Sequence, residues 1–178
     1  MIAGVDEVGR GCLAGPVIAA SVILKRPIKG LMDSKKLSSK KRENLSQEII
    51  ENSIFAIGAA DNHEIDKINI LQASLLAMRR SLEKLDLKPR KVLVDGTHIF
   101  ETSIEIESIV RGDNLIPSIS AASIVAKVYR DRLMMTYSRE FPNYGFDKHK
   151  GYPTKLHKEM LKRYGLTRIH RRTFKGVN

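Results

Sequence analysis

The segment IAGVDEVGRG, residues 2–11, joins a short apolar run to a Gly-Arg-Gly turn and carries two adjacent acids, Asp6 and Glu7. Ionised side chains at the mouth of a buried strand are costly unless a partner compensates their charge. Adjacent residues of a regular strand point to opposite faces, so both acids can face one site only if the strand breaks at Val8-Gly9, which glycine permits. The segment therefore predicts a strand that brings two acids to one edge of a sheet.

The flanking sequence predicts further strands that alternate with helices. Residues 16–24 are β-branched and apolar, and the glycine-containing link before them suits an antiparallel pair with the first strand. Three more strands are expected at residues 54–60, 91–94 and 104–110, and helices are expected at 38–52, 69–85, 118–137 and 154–164. Small residues at the start of the third helix would let it lie close to the sheet. This order indicates an α/β fold with a mixed sheet of about five strands covered by helices.

Charge separates this chain from an average globular domain. It has 178 residues, a net charge of +11 and a pI near 9.8. Residues 143–178 hold two acids and ten basic residues, which are Lys148, Lys150, Lys155, Lys158, Lys162, Arg163, Arg168, Arg171, Arg172 and Lys175. Composition alone leaves open a solvated surface or a polyanion-binding one, but concentration at one end favours a binding face. We expect a single domain over residues 1–178, with 143–178 as a basic substrate-binding segment.

Several classes of protein are disfavoured by simple counts. The only cysteine, Cys12, excludes an internal disulfide and multi-cysteine zinc patterns, and it is interpreted as a small buried residue rather than a nucleophile. The sequence shows no signal-peptide pattern and no apolar stretch of the roughly 18–20 residues that a membrane span requires. We therefore expect a cytoplasmic protein without a membrane partner.

Two further acids follow predicted strands. Asp95 ends the apolar strand at 91–94 and precedes a glycine, and Asp113 follows the alternating strand. Asp-Gly pairs are common in turns, so either acid alone would be weak evidence of a site. Together with Asp6 and Glu7 they suggest that carboxylates converge at one sheet edge. Such a cluster without His or Cys is the ligand set that hard cations such as Mg²⁺ and Mn²⁺ prefer, and in a basic chain it suggests phosphodiester hydrolysis.

Other polar residues have less specific patterns. Asp131, between two arginines on the third long helix, is interpreted as an ion-pair partner rather than a metal ligand. His149, His157 and His170 lie in the basic segment and could touch phosphate, but none has a ligand or general-base pattern.

An ordered series of motifs resembles the type 2 ribonuclease H family, bacterial ribonuclease HII. The series comprises DEVGRG at 6–11 with GP at 15–16, DSKKL at 33–37, NILQAS at 69–74, VDG at 94–96, SAASIVAK at 120–127, KGYPT at 150–154 and IHRRTF at 169–174. One match would be weak, but the whole series in order along nearly the whole chain is specific.

The resemblance implies a ribonuclease H-like fold and a set of site residues. The four metal-binding catalytic acids would be Asp6, Glu7, Asp95 and Asp113, holding Mg²⁺ or Mn²⁺, with two ions when substrate is bound. The substrate-binding residues would be Gly9, Arg10 and Gly11, which recognise the 2′-hydroxyl and phosphates of a ribonucleotide, and Tyr152, which stacks on the next sugar. Lys35 and Lys36 are further candidates for phosphate contact. The alternative, which is equally open, is that they are solvent-exposed residues in the segment that leads into a helix.

The resemblance also implies an activity and its partners. The family activity is endonucleolytic cleavage 5′ to a ribonucleotide in duplex DNA, or of the RNA strand of an RNA–DNA hybrid, giving 3′-hydroxyl and 5′-phosphate ends. The chain begins almost at its first strand, and no aromatic-rich sliding-clamp peptide is visible at its C-terminus. The lack of that peptide puts a sliding-clamp partnership in doubt. We expect a monomer with no obligate protein partner.

Two other functions compete with this hypothesis. A DNA-junction nuclease could share the fold, although the Gly-Arg-Gly turn argues against it. A non-catalytic RNA-binding protein would explain the charge but leave the acids at the strand ends unexplained.

Overall fold

Five strands and five helices form the part of the chain that the computed structural model describes, residues 1–31 and 37–177. The strands are β1 Ile2–Val8, β2 Val17–Leu24, β3 Ser53–Ala60, β4 Lys91–Asp95 and β5 Glu105–Ile109. The helices are α1 Ser39–Glu51, α2 Asn62–Glu83, α3 Pro117–Glu140, α4 Phe146–His149 and α5 Lys155–Tyr164. None of these helices is long and apolar enough to cross a membrane.

The strands form one mixed sheet in the order β3-β2-β1-β4-β5, which confirms the predicted architecture. β1 pairs antiparallel with β2 and parallel with β4, and β4 pairs parallel with β5. In the parallel pair, Val5 lies opposite Val94, so Asp6 and Asp95 are the next residues along the two strands. Because parallel strands end at the same edge, this register brings the two acids to one place.

Helices cover both faces of the sheet. On β2, Val17, Ala19 and Ile23 belong to the core shared with α2. The alternate residues Ile18, Ala20 and Val22 belong to the core shared with α1 and α3. A strand whose side chains are buried on both faces reads as a continuous apolar run, which is why residues 16–24 show no polar alternation.

Glycine allows α3 to lie directly on the sheet. A Cβ atom at Gly4 would lie only 2.1 Å from the backbone carbon of Ser118, so no larger residue fits at this crossing. The next helical positions, Ser120, Ala121 and Ala122, are all buried. The expectation that small residues bring this helix close to the sheet is confirmed.

The second helix differs from its predicted bounds. It begins at Asn62, after a capping box in which Asp61 and Glu64 satisfy each other's backbone N–H groups. It breaks at Asn69, where φ is +66°, and the Asn69 side-chain oxygen accepts hydrogen bonds from the N–H groups of Leu71 and Gln72. The predicted helix at 69–85 was therefore only the second segment of a kinked pair.

The C-terminal residues fold back onto the first loop. Thr154 caps α5 through a hydrogen bond from the His157 N–H, and Gly165 follows the helix with a φ of +75°. A separate apolar cluster joins this region to the link after β1; its buried members are Leu13, Ala14, Met134, Tyr144, Phe146, Leu161, Ile169 and Val177. The short helix α4 was not predicted, because four residues give no readable periodicity.

Candidate active site

Asp6 is the most buried of the four predicted metal ligands, with 5% of its surface exposed. Its Oδ1 accepts a 2.7 Å hydrogen bond from the Glu7 backbone N–H, and the Ser123 hydroxyl on α3 is a second hydrogen-bond partner. Burial, and next the negative charges of Glu7 and Asp95, raise the pKa of Asp6 well above its usual value. The metal-free site therefore holds a carboxyl whose ionised form lacks sufficient compensation.

Asp113 joins Asp95 through the turn after β5. Arg111 adopts a left-handed conformation with a φ of +57°, and it leads into a short 3-10 turn at Gly112–Asn114. The Asp113 backbone N–H donates to Asp95 Oδ1 at 3.2 Å, and the Asn114 side-chain amide donates to Asp113 Oδ1 at 2.9 Å. The turn thus brings a third predicted acid to the edge where β1 and β4 end.

Glu7 faces a pocket of about 230 Å³ that opens beside this edge. Asp95, Arg10 and His98 also line the pocket. Arg10 Nη1 donates to Glu7 Oε1 at 3.3 Å, while about half of the Arg10 side chain stays exposed. Two acids and a half-exposed cation therefore line the same open pocket.

The chemistry of this donor set fits a hard divalent cation. All four acids supply carboxylate oxygens, and the burial of Asp6 leaves negative charge that a cation would compensate. Among the residues described, no group of three or more His, Cys, Asp or Glu side chains is already arranged to hold a metal ion.

The Gly-Arg-Gly turn lies directly beside the acids and packs against the side chain of Arg130. Gly9 has a φ of +95°, and a Cβ atom there would lie 2.2 Å from Arg130 Nε. Both Arg10 and Gly11 are exposed. The turn needs a glycine at position 9 for its conformation and for the close approach of Arg130.

Tyr152 lies beside this turn on the loop between α4 and α5. The Leu13 N–H donates to the Gly151 carbonyl at 2.8 Å, which joins the two loops. Tyr152 is 37% exposed, and Lys127 Nζ lies 6.0 Å from the centre of its ring. Burial of the hydroxyl, next to Cys12, raises the pKa of Tyr152. The tyrosine is therefore partly exposed beside the link that follows the turn.

Three histidines that the sequence suggested as phosphate contacts are instead buried. His149 and His157 stack with ring centres 4.3 Å apart, and His157 Nε2 lies 3.1 Å from His170 Nε2. Burial lowers the pKa of His157 and of His170 to about 4. These residues are neutral packing groups of the C-terminal region.

The hydrogen bonds fix which nitrogen of each buried histidine carries its proton. The Gly151 N–H donates to His149 Nδ1, so His149 Nε2–H donates to a carbonyl. The Thr167 N–H donates to His170 Nδ1, so His170 Nε2–H donates to His157 Nε2. The remaining proton, on His157 Nδ1, is donated to the Tyr152 carbonyl at 2.9 Å. The cluster thus holds the backbone of the tyrosine.

Four other residues were interpreted from the sequence, namely Lys35, Lys36, Asp131 and Cys12. Lys35 and Lys36 lie outside the described residues. Asp131 forms a 2.7 Å ion pair with Lys127, as its interpretation required, and Cys12 is buried.

The basic segment is largely a surface feature. Eight of its ten cationic residues are exposed: Lys148, Lys155, Lys158, Lys162, Arg163, Arg168, Arg172 and Lys175. Arg171 is fully buried, so its inclusion in the surface charge was wrong. Its role, like that of Arg130, was missed because a sequence does not show which arginines face inward.

Comparisons with known proteins agree with this geometry. The family model described as ribonuclease HII matches residues 3–177. A ribonuclease HII from Coxiella burnetii is 54% identical over 180 residues, covering 99% of this chain and 89% of the relative. One from Pelagibacter ubique is 52% identical, covering 100% and 97%. The crystal structure of ribonuclease H2 from Pyrococcus horikoshii is 28% identical and covers 99% of this chain and 94% of that one, with a TM-score of 0.82.

The mixed sheet with its flanking helices and acidic edge defines a ribonuclease H-like nuclease. Within that class, the chain belongs to the ribonuclease HII family. It is a metal-dependent endoribonuclease.

Proposed function

We propose that this endoribonuclease hydrolyses the phosphodiester bond 5′ to a ribonucleotide, in RNA–DNA hybrids and in duplex DNA with embedded ribonucleotides. The products would carry a 3′-hydroxyl and a 5′-phosphate. The observation that carries the proposal is the register of β1 and β4, which brings Asp6 and Asp95 to one sheet edge, together with the exposed Arg10 and Gly11 of the turn that directly follows β1.

Enzymes of this family use divalent metal ions. Here the proposed ligands are Asp6, Glu7, Asp95 and Asp113, and the proposed cofactor is a pair of Mg²⁺ or Mn²⁺ ions. When bound, such ions activate water and stabilise the leaving oxygen. The chain's own part is to fix the acids: Ser123 and the Glu7 N–H orient Asp6, and the Asp113 N–H orients Asp95.

Recognition of the ribonucleotide is assigned to the two joined loops. The 2′-hydroxyl distinguishes RNA from DNA, and the backbone of Gly9, Arg10 and Gly11 can approach it because the glycines carry no side chain. Tyr152 would stack on the sugar of the following deoxynucleotide. The exposed cations of residues 143–178 would hold the duplex backbone, so binding should weaken with salt.

The substrate tests this function against its alternatives. Four substrates are compared in Mg²⁺ and in Mn²⁺: a DNA duplex with a single ribonucleotide, an RNA–DNA hybrid, a plain DNA duplex and a four-way DNA junction. We expect cleavage of the first two only, and complete loss of cleavage in chelator. Cleavage of the junction without a ribonucleotide would favour the junction nuclease, and binding without cleavage in any metal would favour an RNA-binding protein.

Replacing Tyr152 by alanine should lower cleavage at a lone ribonucleotide by about tenfold, because aromatic stacking in single-strand binders is worth about 1–3 kcal/mol per contact. Affinity for plain duplex should stay within twofold of wild type, on the order of 0.4 kcal/mol. Cleavage kinetics and duplex titrations measure the two quantities. Tyr129→Ala, at an exposed tyrosine on α3, is the matched control. Equal losses in cleavage and duplex binding would show that Tyr152 is a general packing residue.

A further inference from the structure

Two fully buried arginines donate to the loop that follows β1 instead of to carboxylates. Arg130 and Arg171 are both 0% exposed, and no ion pair among the described residues involves either of them. Arg171 donates to the carbonyls of Gly9, Arg10 and Gly15 at 2.7, 2.8 and 3.0 Å. Arg130 donates to the carbonyls of Ala14, Pro16 and Lys150 at 3.0, 3.0 and 2.8 Å.

Burying two arginines away from carboxylates carries a cost in desolvation free energy. A buried guanidinium loses its hydration, and six backbone carbonyls compensate the two charges here. An arginine suits this task because its five N–H donors form a rigid planar fork, whereas a lysine presents a compact point charge. The two arginines therefore fix the path of residues 9–16 more tightly than the turn itself would.

Turning the carbonyls inward also fixes where the amides point. In a planar trans peptide, the C=O of one residue and the N–H of the next point in opposite directions. Because Arg171 draws the Gly9 and Arg10 carbonyls inward, the N–H groups of Arg10 and Gly11 face outward. These are the exposed residues of the turn beside the acids.

We propose that Arg130 and Arg171 are positioning residues for ribonucleotide recognition. Arg171 aims the Arg10 and Gly11 amides at the substrate, and Arg130 holds the link after the turn in place beside the Tyr152 loop. This inference rests on the proposed function, since it assigns those amides to the ribonucleotide. Neither arginine touches substrate in this account. Each acts through the backbone carbonyls that it holds.

Arg130 has a second task, because it spans both substrate loops. Its Nη1 holds the Lys150 carbonyl, two residues before Tyr152, while its other nitrogens hold the link after the turn. The absence of a side chain at Gly9 makes room for its guanidinium. Arg130 thus sets the spacing between the turn and the tyrosine ring, and Arg171 holds the turn alone.

The test uses Arg171→Lys and Arg130→Lys, which keep the charge and lose the fork. For each variant, kcat/KM is measured on a duplex with one ribonucleotide and compared with the affinity for plain DNA duplex. We expect kcat/KM to fall by about 10- to 100-fold, as expected for losing one to two hydrogen bonds to a charged group. Plain duplex affinity should change by less than about twofold, because the exposed basic residues are intact.

A second readout does not depend on activity. Hydrogen exchange follows the Leu13 and Gly15 amides, which are bonded to the Gly151 and Ile169 carbonyls. Both amides should exchange faster in the two variants. The matched control is Arg80→Lys, since Arg80 also has three acceptors but lies on α2 and pairs with Glu64. The control should leave kcat/KM and loop exchange unchanged.

The outcomes separate this inference from the proposed function. If wild type fails to cut at the ribonucleotide, the proposed function fails, and with it the recognition role, whatever the exchange shows. If wild type cuts, unchanged loop exchange or equal losses on both duplexes would overturn the positioning role. If neither lysine variant folds, the arginines stabilise the whole domain and the loop-specific role is also overturned.

Double variants separate the two arginines. The losses in kcat/KM caused by Arg130→Lys and by Tyr152→Ala should be less than additive. The losses caused by Arg171→Lys and by Tyr152→Ala should be additive.

Discussion

Replacing Asp6 by asparagine is expected to abolish cleavage and to leave the metal-free protein as stable as wild type or more so. The buried Asp6 carboxyl lies beside Glu7 and Asp95, and burial and these charges raise its pKa. A carboxyl whose folded pKa is raised destabilises the folded state once pH exceeds its unfolded pKa. Asparagine removes that charge, and its oxygen can still accept the hydrogen bond from the Glu7 N–H.

Asp6→Asn should have a large effect on activity and a small effect on the free energy of unfolding. Activity should fall by at least about a thousandfold, because bound metal supplies several kcal/mol of charge stabilisation in the transition state. The gain in unfolding free energy in chelator should be on the order of 1 kcal/mol, since one charge of a partly solvated cluster is relieved.

Thermal melts with chelator and with Mg²⁺ or Mn²⁺ measure the stability part of this prediction. Wild type should be stabilised by metal, and Asp6→Asn should be stabilised much less, because the added stability follows metal affinity. Asp86→Asn removes an equal charge from an exposed site and is the control for charge alone. A large loss of stability of Asp6→Asn in chelator would mean that Asp6 is a satisfied structural acid.

The second large effect is a loss of stability between pH 6.5 and pH 5. His157 and His170 are buried and neutral, and burial lowers the pKa of each to about 4. Below pH 6.5 the unfolded chain binds protons at these residues and the folded chain does not, so stability falls as pH falls. Above pH 6.5 neither state is protonated and the effect is absent. By linkage, the two residues together should lower the free energy of unfolding at pH 5 by about 4 kcal/mol relative to its value above pH 6.5.

Urea unfolding at pH 7.5 and pH 5.0 in chelator measures this loss. The Asp6→Asn background is preferable, because the raised pKa of Asp6 acts in the opposite direction and adds stability as pH falls. The lowered pKa values of Glu64 and Asp66 act only at more acid pH. In His157→Gln the pH dependence should be smaller, because one of the buried histidines with a lowered pKa is removed while His149 and His170 remain. For His63→Gln, at an exposed histidine, it should be unchanged. Equal stability at both pH values in the background protein would show that the histidine cluster is not held neutral.

The sheet and the placement of the acids could be predicted because both follow from local signals. Apolar runs marked the strands, and Asp6 and Asp95 directly follow two of them. Parallel pairing of β1 with β4 then brings the acids together. Asp6 lies beside Glu7 and Asp95, and the Asp113 backbone N–H is bonded to Asp95; the role of the four acids in metal binding stays a prediction.

The support of the substrate loops could not be predicted from the same signals. Arg130 and Arg171 are 41 positions apart and look like surface cations in the sequence. Their burial depends on the C-terminal residues folding back over the link after β1. His149, His157 and His170 likewise meet only because of that fold. Burial of a charged residue is a property of tertiary packing, and the local sequence carries no mark of it.

The products formed from a DNA duplex with one ribonucleotide test the central claim most directly. If carboxylate-held metal activates water, cleavage in Mg²⁺ or Mn²⁺ should leave the ribonucleotide at the 5′ end of the downstream fragment, with a 5′-phosphate. The upstream fragment should end in a 3′-hydroxyl. A 2′,3′-cyclic phosphate on the upstream fragment would contradict the account, because it would mean that the 2′-hydroxyl was the nucleophile.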